Sequence, residues 1–575
     1  MPEVAISALV FSDFGLLAET APAAPDANLG ALAALAVFIA ASVWLGTVAQ
    51  RVVRKSSFVK GYFLGNRGLG AWAVALTATV QSGGTFMGFP SLVYSHGWIV
   101  ALWIGSYMIV PITGFGIIGK RIAQISRKTG AITMPDLFRE RFQSPTLGLI
   151  TSLLIIFFMT SMMVAQFKAG ATVMKLAWPH SGFLSFSEDA ETKVDMAYLF
   201  GLAIFSITVI GYTLIGGFLA AVWTDLFQSV MMFIGVLILL ALSLNACGGL
   251  ENASRKAVLN ANASVKESNE PPPANAATED NSARFASGPG FSKDGRQFLP
   301  LSLAVSFFIF WPATGFASPA SVTRIMACKD TATLRKSIVL LCLYNLGIYL
   351  PLICICVCAR ALTPDLAKPD EVIPRMALTM TAGIPGGAFL SGLILAAPFG
   401  AIMATVSSYL VVIASGIVRD VYQRFINPHA TDYEIRRLAR YGMIAVGLVA
   451  VLLNINPVDY LQALVVFSSG GAGASFIVPC LMLCYWRRAT AAGVLAAMLT
   501  GAAMMLHFYR AGFLSPDPLI GQATRFRPYF LGGMEPILWS LLASAACGIF
   551  VSLMTAPPAP ECIERLFSAT PDQSR

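Results

Sequence analysis

The run ALTATVQSGGTFMGFP (75–90) lies inside an apolar stretch long enough to cross a bilayer, yet its middle carries Gln81, Ser82, Gly83, Gly84 and Thr85. Backbone polar groups in lipid must be satisfied internally, so a broken helix is tolerated only where it is buried in protein or lines a cavity. Gly83 and Gly84 permit unwinding, and Gln81, Ser82, Thr77, Thr79 and Thr85 supply polar groups beside the freed carbonyls. Half-helix ends and unwound carbonyls near the midplane are what secondary transporters use to bind a solute and its coupling ion. The competing reading is a kinked helix whose small residues serve close packing. A second interruption, FIFWPATGFASPASVT (308–323), holds Pro312, Gly315 and Pro319 within one span. A third polar patch, Thr405, Ser407 and Ser408, interrupts GAIMATVSSYLVVIASGIVRD (400–420). Hydroxyls in membrane helices often only bond to the preceding turn.

The elements that must position these residues are membrane helices. The 575 residues are 56% hydrophobic and 12% charged, about half the charge of a soluble domain. A spanning helix needs roughly 20 mostly apolar residues. Such runs place thirteen helices near 29–50, 68–94, 97–119, 147–175, 195–215, 223–246, 298–320, 336–362, 384–415, 440–455, 459–485, 488–508 and 535–555. The continuous runs exclude a β-barrel, whose strands alternate. The breaks fall in the second and seventh helices, an offset of five that matches an inverted repeat of five plus five helices. The expected organisation is an all-α membrane protein. It has an external tail (1–28), a first helix and loop (29–60), a first repeat (61–250) and a flexible external loop (251–297). A second repeat (298–487), two further helices (488–555) and a cytoplasmic tail (556–575) follow.

Lys and Arg collect in cytoplasmic loops. Here they cluster after the first, third, seventh, ninth and eleventh helices, with Arg324 among those after the seventh. This predicts an external N-terminus and a cytoplasmic C-terminus in a multi-pass protein of the cell (inner) membrane. The 509–534 loop, with Arg510, Arg525 and Arg527, is an exception. The net charge of +9 is thus a topology signal and does not point to nucleic acid. The acidic first 27 residues do not fit a signal peptide. Ten cysteines form no disulfide or zinc pattern; Cys354, Cys356 and Cys358 sit among Leu and Ile as small hydrophobes. The 251–296 stretch, rich in Pro, Ala, Asn and Ser, lacks the apolar surface to offset its ordering entropy. No phosphate-binding loop of the G-x-x-x-x-G-K-[ST] kind and no soluble catalytic domain is visible, so the chain reads as a gradient-driven carrier and not an enzyme.

Five stretches in order resemble the sodium:solute symporter family over about residues 60–500. They are GYFLGNRGLGAWAVALTATVQSGGTFMGFPSLVYSHGW, GYTLIGGFLAAVWTDLFQ (211–228), RIMACKD (324–330), AIMATVSSYLVVIASGIVRDVY (401–422) and YWRRATAAG (485–493). Within the family, EVIPRMAL, LAAPFGAIMAT and CYWRRATAAG look closest to pantothenate symporters, with proline symporters next. The resemblance implies a LeuT-like core and a sodium ion as coupling ion, held between helices two and nine. Its ligands would be the carbonyls of Ala78, Gln81 and Ala401 and hydroxyls on helix nine. The hydroxyl pair maps onto Ala404 and Thr405; Thr405 fits, whereas Ala404 stands where members carry Ser. Val80 also departs, standing where proline symporters carry an acidic residue.

Asp225, in the Trp-Thr-Asp motif, corresponds to a residue linked to ion passage in the family; Thr224-Asp225 also reads as a helix N-cap. Lys168 follows Gln166 in an apolar helix. It either snorkels to the headgroups or attracts a substrate carboxylate, as an intramembrane charge suggests. The candidate solute pocket is Gln81, Ser82, Thr85, Gln166, Trp311 and Phe316, with plain packing the alternative for Trp311. The expected function is import of a small organic solute, a carboxylate such as pantothenate, with sodium. Alternatives are proline or another monocarboxylate, a proton- or lysine-assisted carrier without sodium, and a membrane sensor.

Overall fold

The computed structural model describes residues 29–53, 69–78, 82–178, 195–267, 301–316, 318–457, 461–514 and 526–567. Among these residues the fold is all-helical apart from one isolated bridge between Leu69 and Cys328. The helices are α1 (Leu29–Val53), α2 (Ala71–Ala78), α3 (Phe89–His96), α4 (Ala101–Pro111), α5 (Lys120–Thr129), α6 (Met134–Phe142), α7 (Pro145–Ala177), α8 (Met196–Cys247), α9 (Leu250–Glu267) and α10 (Leu301–Phe316). They continue as α11 (Pro319–Ala327), α12 (Thr331–Leu362), α13 (Val372–Thr381), α14 (Gly387–Ser415), α15 (Asp432–Leu453), α16 (Leu461–Tyr485), α17 (Ala491–Leu514), α18 (Pro536–Met554) and α19 (Pro560–Phe567). Wider π-helical turns cover Gly84–Gly88, Ile112–Gly119 and Gly416–Ile426.

Among the described residues, ten helices are long and apolar enough to cross a membrane, or eleven if α10 and α11, bent by 44°, count as one span. Three expected helices account for the distance from thirteen: 68–94 is split into α2 and α3 of eight residues each, 298–320 into α10 and α11, and α15 opens with five charges between Asp432 and Arg440. Helices five and six of the sequence reading form one helical run, α8, which holds two spans, Met196–Ile215 and Ala221–Cys247.

The expected flexible loop from 251 onward begins instead as α9. Its helix has an apolar stripe: Ala253 and Ala257 are fully buried, Trp98 Nε1 donates to Ser254 Oγ at 3.3 Å, and Asn260 Nδ2 donates to the carbonyls of Arg360 and Ala361. The proline-rich remainder lies outside the described residues, as do the N-terminal tail and residues 568–575. Three short helices were not anticipated. One of them, α6, starts on a visible cap, with Thr133 Oγ1 accepting from Asp136 N at 3.1 Å.

The centre of the bundle is α14 and α16, each with 83% of its span window buried, against 28–50% for the other spans. Their inward faces are rich in Gly, Ala and Ser, which lets backbones approach where lipid offers no hydrophobic drive. At Gly392 on α14, an added Cβ would lie 2.2 Å from the Ala31 carbonyl oxygen of α1. The start of the first interrupted helix and the end of the second are tied together: Leu69 N donates to Ala327 O and Lys329 N to Leu69 O, both at 3.3 Å. Gly392→Ala is expected to push α1 off α14 at a cost of about 1–3 kcal/mol, the usual range for overpacking. It should lower the melting temperature of the detergent-purified protein; an unchanged value would show that α1 packs loosely there.

Candidate functional site

The first interrupted helix is unwound at Ser82, between α2 and the wide turn at Gly84. Its freed amides are met by side chains. Gly83 N donates to Gln166 Oε1 at 2.7 Å, Gly84 N to Ser82 Oγ at 3.1 Å, and Ser82 N to Thr85 Oγ1 at 3.3 Å. This is the internal satisfaction that a break in lipid demands. Glycine at 83 is required by space, since a Cβ there would lie 2.6 Å from Ala169 Cβ on α7. Gln166 is fully buried and spends its carbonyl oxygen on the break, and it is not part of the cavity wall. Thr79, Val80 and Gln81 lie outside the described residues, as do the side chains of Ala78 and Phe316.

Both interruptions open onto one cavity of about 120 Å³. Ser82 and Thr85 line it from the first, and Trp311, Gly315, Ser318 and Ser321 from the second. Tyr107 stacks between Trp311 (4.6 Å between centroids) and Tyr349 (4.5 Å), and Tyr349 OH hydrogen-bonds Thr85 Oγ1 at 3.2 Å. Every described wall residue is uncharged. The N-terminus of α11 opens here through Ser318, Ala320 and Ser321. A helix start favours anionic groups through its unbonded amides and dipole. The cavity thus pairs apolar aromatic faces with neutral hydroxyls and one helix end.

One wall away lies a buried ion pair. Arg324, expected among the cytoplasmic loop charges, sits in the last turn of α11 with 2% exposure. Its Nη2 donates to Asp225 Oδ2 at 2.9 Å and Ser408 Oγ at 2.6 Å, its Nε to Thr77 Oγ1 at 3.1 Å, and its Nη1 to Ala320 O at 3.4 Å. Asp225 also accepts from Ser407 at 3.4 Å and Ser408 at 3.3 Å. It is no N-cap: α8 runs through it, and the Thr224 hydroxyl bonds back to Ala221 O. Nothing in the sequence separated Arg324 from its loop neighbours except its distance of five residues from Pro319, which keeps it inside the short helix.

On α14, Thr405 Oγ1 donates to Ala401 O at 2.9 Å, and Ser407 Oγ to Ala404 O at 3.0 Å. The donor set along this face consists of carbonyls, hydroxyls and the Asp225 carboxylate, hard oxygens of the kind hard cations take. Ala404 adds none. The residues present therefore fit a sodium ion as cargo.

Lys168 is not among the residues that line the cavity. It pairs with Asp370 at 3.4 Å, with side-chain exposures of 12% and 14%, and Asp370 also accepts from Leu461 N. Burial holds the Asp370 carboxyl above the usual carboxylate range, while Lys168 pulls it back. A raised folded-state value means that the site's stability contribution is present at low pH and falls as pH rises through it. Lys168→Met removes the counter-charge, so its loss of stability should be larger at pH 8 than at pH 5. Equal losses would show that the pair carries no charge effect. Asp225→Asn is expected to cost about 3–5 kcal/mol by leaving Arg324 buried alone, with much of it recovered in Asp225→Asn/Arg324→Gln. Melting temperatures of the three proteins test this; a stable single variant would sink it.

Comparison with known proteins agrees with this geometry. The family model described as Sodium:solute symporter family matches residues 62–501. A sodium/pantothenate symporter from Haemophilus influenzae is 29% identical over 82% of this chain and 89% of its own length. One from Escherichia coli is 27% identical over 82% and 88%. A Staphylococcus aureus sodium/proline symporter is 28% identical over 77% and 80%. Among solved structures, a Na+-coupled sialic acid symporter in a substrate-bound outward-open state superposes with a TM-score of 0.68 at 16% identity, over 93% of this chain and 99% of that one; it shares the fold. A match that runs from before the first interrupted helix into α17 makes this chain a member of the sodium:solute symporter family.

Proposed function

We propose that this sodium-coupled solute symporter imports pantothenate or a closely similar small carboxylate. The observation that carries the reading is the single uncharged cavity onto which both interrupted helices open, with the α11 N-terminus aimed into it. A helix end offers a carboxylate amides and a positive dipole without a fixed counter-charge. Relatives named for pantothenate at 29% and 27% identity support that choice, with proline-named relatives next.

In this reading the solute rests against Ser82, Thr85, Trp311 and Phe316. Sodium binds between the end of α2 and α14, at the carbonyls of Ala78, Gln81 and Ala401 and the Thr405 hydroxyl. Asp225, with Ser407 and Ser408, lies on the ion's path. Gln166 positions the break through Gly83, and Lys168 positions the outer segment through Asp370. Residues 61–250 and 298–487 act as two repeats that rock about the site. Solute and ion bind cooperatively because each favours the same closed arrangement.

Uptake of radiolabelled pantothenate into proteoliposomes tests this. An inward sodium gradient should drive accumulation, and unlabelled pantothenate should compete better than proline. Accumulation of proline alone would reassign the substrate, and pantothenate uptake indifferent to sodium would overturn the coupling.

A further inference from the structure

Gln228 is fully buried, and neither end of its amide has a hydrogen bond of good geometry among the described residues. Buried side-chain amides are rarely left so. Its surroundings explain what it faces. Across from it, a Cβ added at Gly400 would lie 3.3 Å from Gln228 Cβ and 3.5 Å from Cγ, so the side chain packs on that glycine of α14. The Tyr212 hydroxyl lies beside it and donates to Met403 O at 2.9 Å. One turn earlier on α8, Asp225 meets Ser407 and Ser408. One residue later, Ser229 Oγ donates to Leu76 O at 2.8 Å, in the last turn of α2.

These contacts fix a register. As α8 advances from Asp225 to Gln228, its partners on α14 run back from Ser408 to Gly400. Ala404 belongs to the intervening turn. Gln228 therefore packs at Gly400, where Phe38 of α1 also packs, one turn before Ala404 on α14, and its neighbour Ser229 reaches the last turn of α2. Ala404 supplies no side-chain oxygen, and Gln228 brings a neutral, hard one that has no hydrogen-bond partner of good geometry among the described residues.

We infer that Gln228 Oε1 is a ligand of the coupling sodium and takes the place of the hydroxyl that Ala404 lacks. This rests on the sodium site proposed between α2 and α14. An amide oxygen suits the task because it adds no charge, and hard cations accept carbonyl oxygens from Asn and Gln as readily as from backbone.

The test is the sodium dependence of solute uptake in proteoliposomes, alongside the sodium-induced rise in melting temperature of the purified protein, which needs no transport. Gln228→Ala should raise the sodium concentration for half-maximal response by about tenfold or more, the range seen when a metal's supporting groups are removed. Ala404→Ser in the Gln228→Ala background should restore most of it, a rescue that a merely structural role would not give. Gln228→Asn, which keeps an amide but retracts it, serves where the alanine variant folds poorly and should also weaken sodium. Thr405→Ala is the control. If Thr405→Ala weakens sodium while Gln228→Ala and Gln228→Asn leave both readouts unchanged, Gln228 is a packing residue and the inference is wrong. If the unaltered protein shows no sodium response, the site itself fails and the inference falls with it.

Discussion

A buried guanidinium organises the packing of four helices in this molecule. Arg324 is buried, so its donors need protein oxygens, and the fold supplies them from α2, α8, α11 and α14. The cost of burying a charge is recovered only when geometry and extra hydrogen bonds are good, and this requirement sets where four helices sit relative to one another. Thr77 must end α2 near it, Asp225 must face inward from α8, and Ser408 must turn from its usual bond to the preceding turn toward Asp225 and Arg324. The third polar patch seen in the sequence is thus partly the coordination shell of an arginine.

The first interruption obeys the same rule with neutral groups. The break at Ser82 leaves amides that lipid would leave unsatisfied, and Gln166, Ser82 and Thr85 take them. Thr85 in turn bonds Tyr349, which stacks on Tyr107, which stacks on Trp311 in the second interrupted helix. The two breaks are therefore mechanically linked through an aromatic column across the cavity. The contacts that join them include no charged side chain.

The two interruptions were legible because Gly, Pro and polar residues inside apolar runs violate what lipid permits. The membrane spans were legible for the same reason. What escaped was anything decided by a partner distant in sequence. Arg324 looks like its neighbours Lys329 and Arg335 until Asp225, 99 residues away, is placed beside it. The partners of Lys168 and Gln166, Asp370 and the Gly83 amide, are likewise distant in sequence and cannot be read from it. The α9 helix was missed because mean composition over 251–297 is dominated by its proline-rich part, which hides the short Ala253–Ala257 stripe.

The placement of charge follows from what a carrier must do with its ion. In a low-dielectric interior an unpaired carboxylate would attract sodium strongly, and pairing with a cation weakens that pull. The described residues keep full charges paired off the cavity wall, as Arg324 with Asp225 and Lys168 with Asp370. They leave carbonyls, hydroxyls and helix ends on the binding surfaces. Neutral oxygens bind a monovalent cation moderately, and a helix N-terminus holds a carboxylate by a partial charge. Binding strength is then the sum of several weak contacts from different helices. It is lost as a whole when those helices move apart, so the same arrangement that binds both species also lets them go.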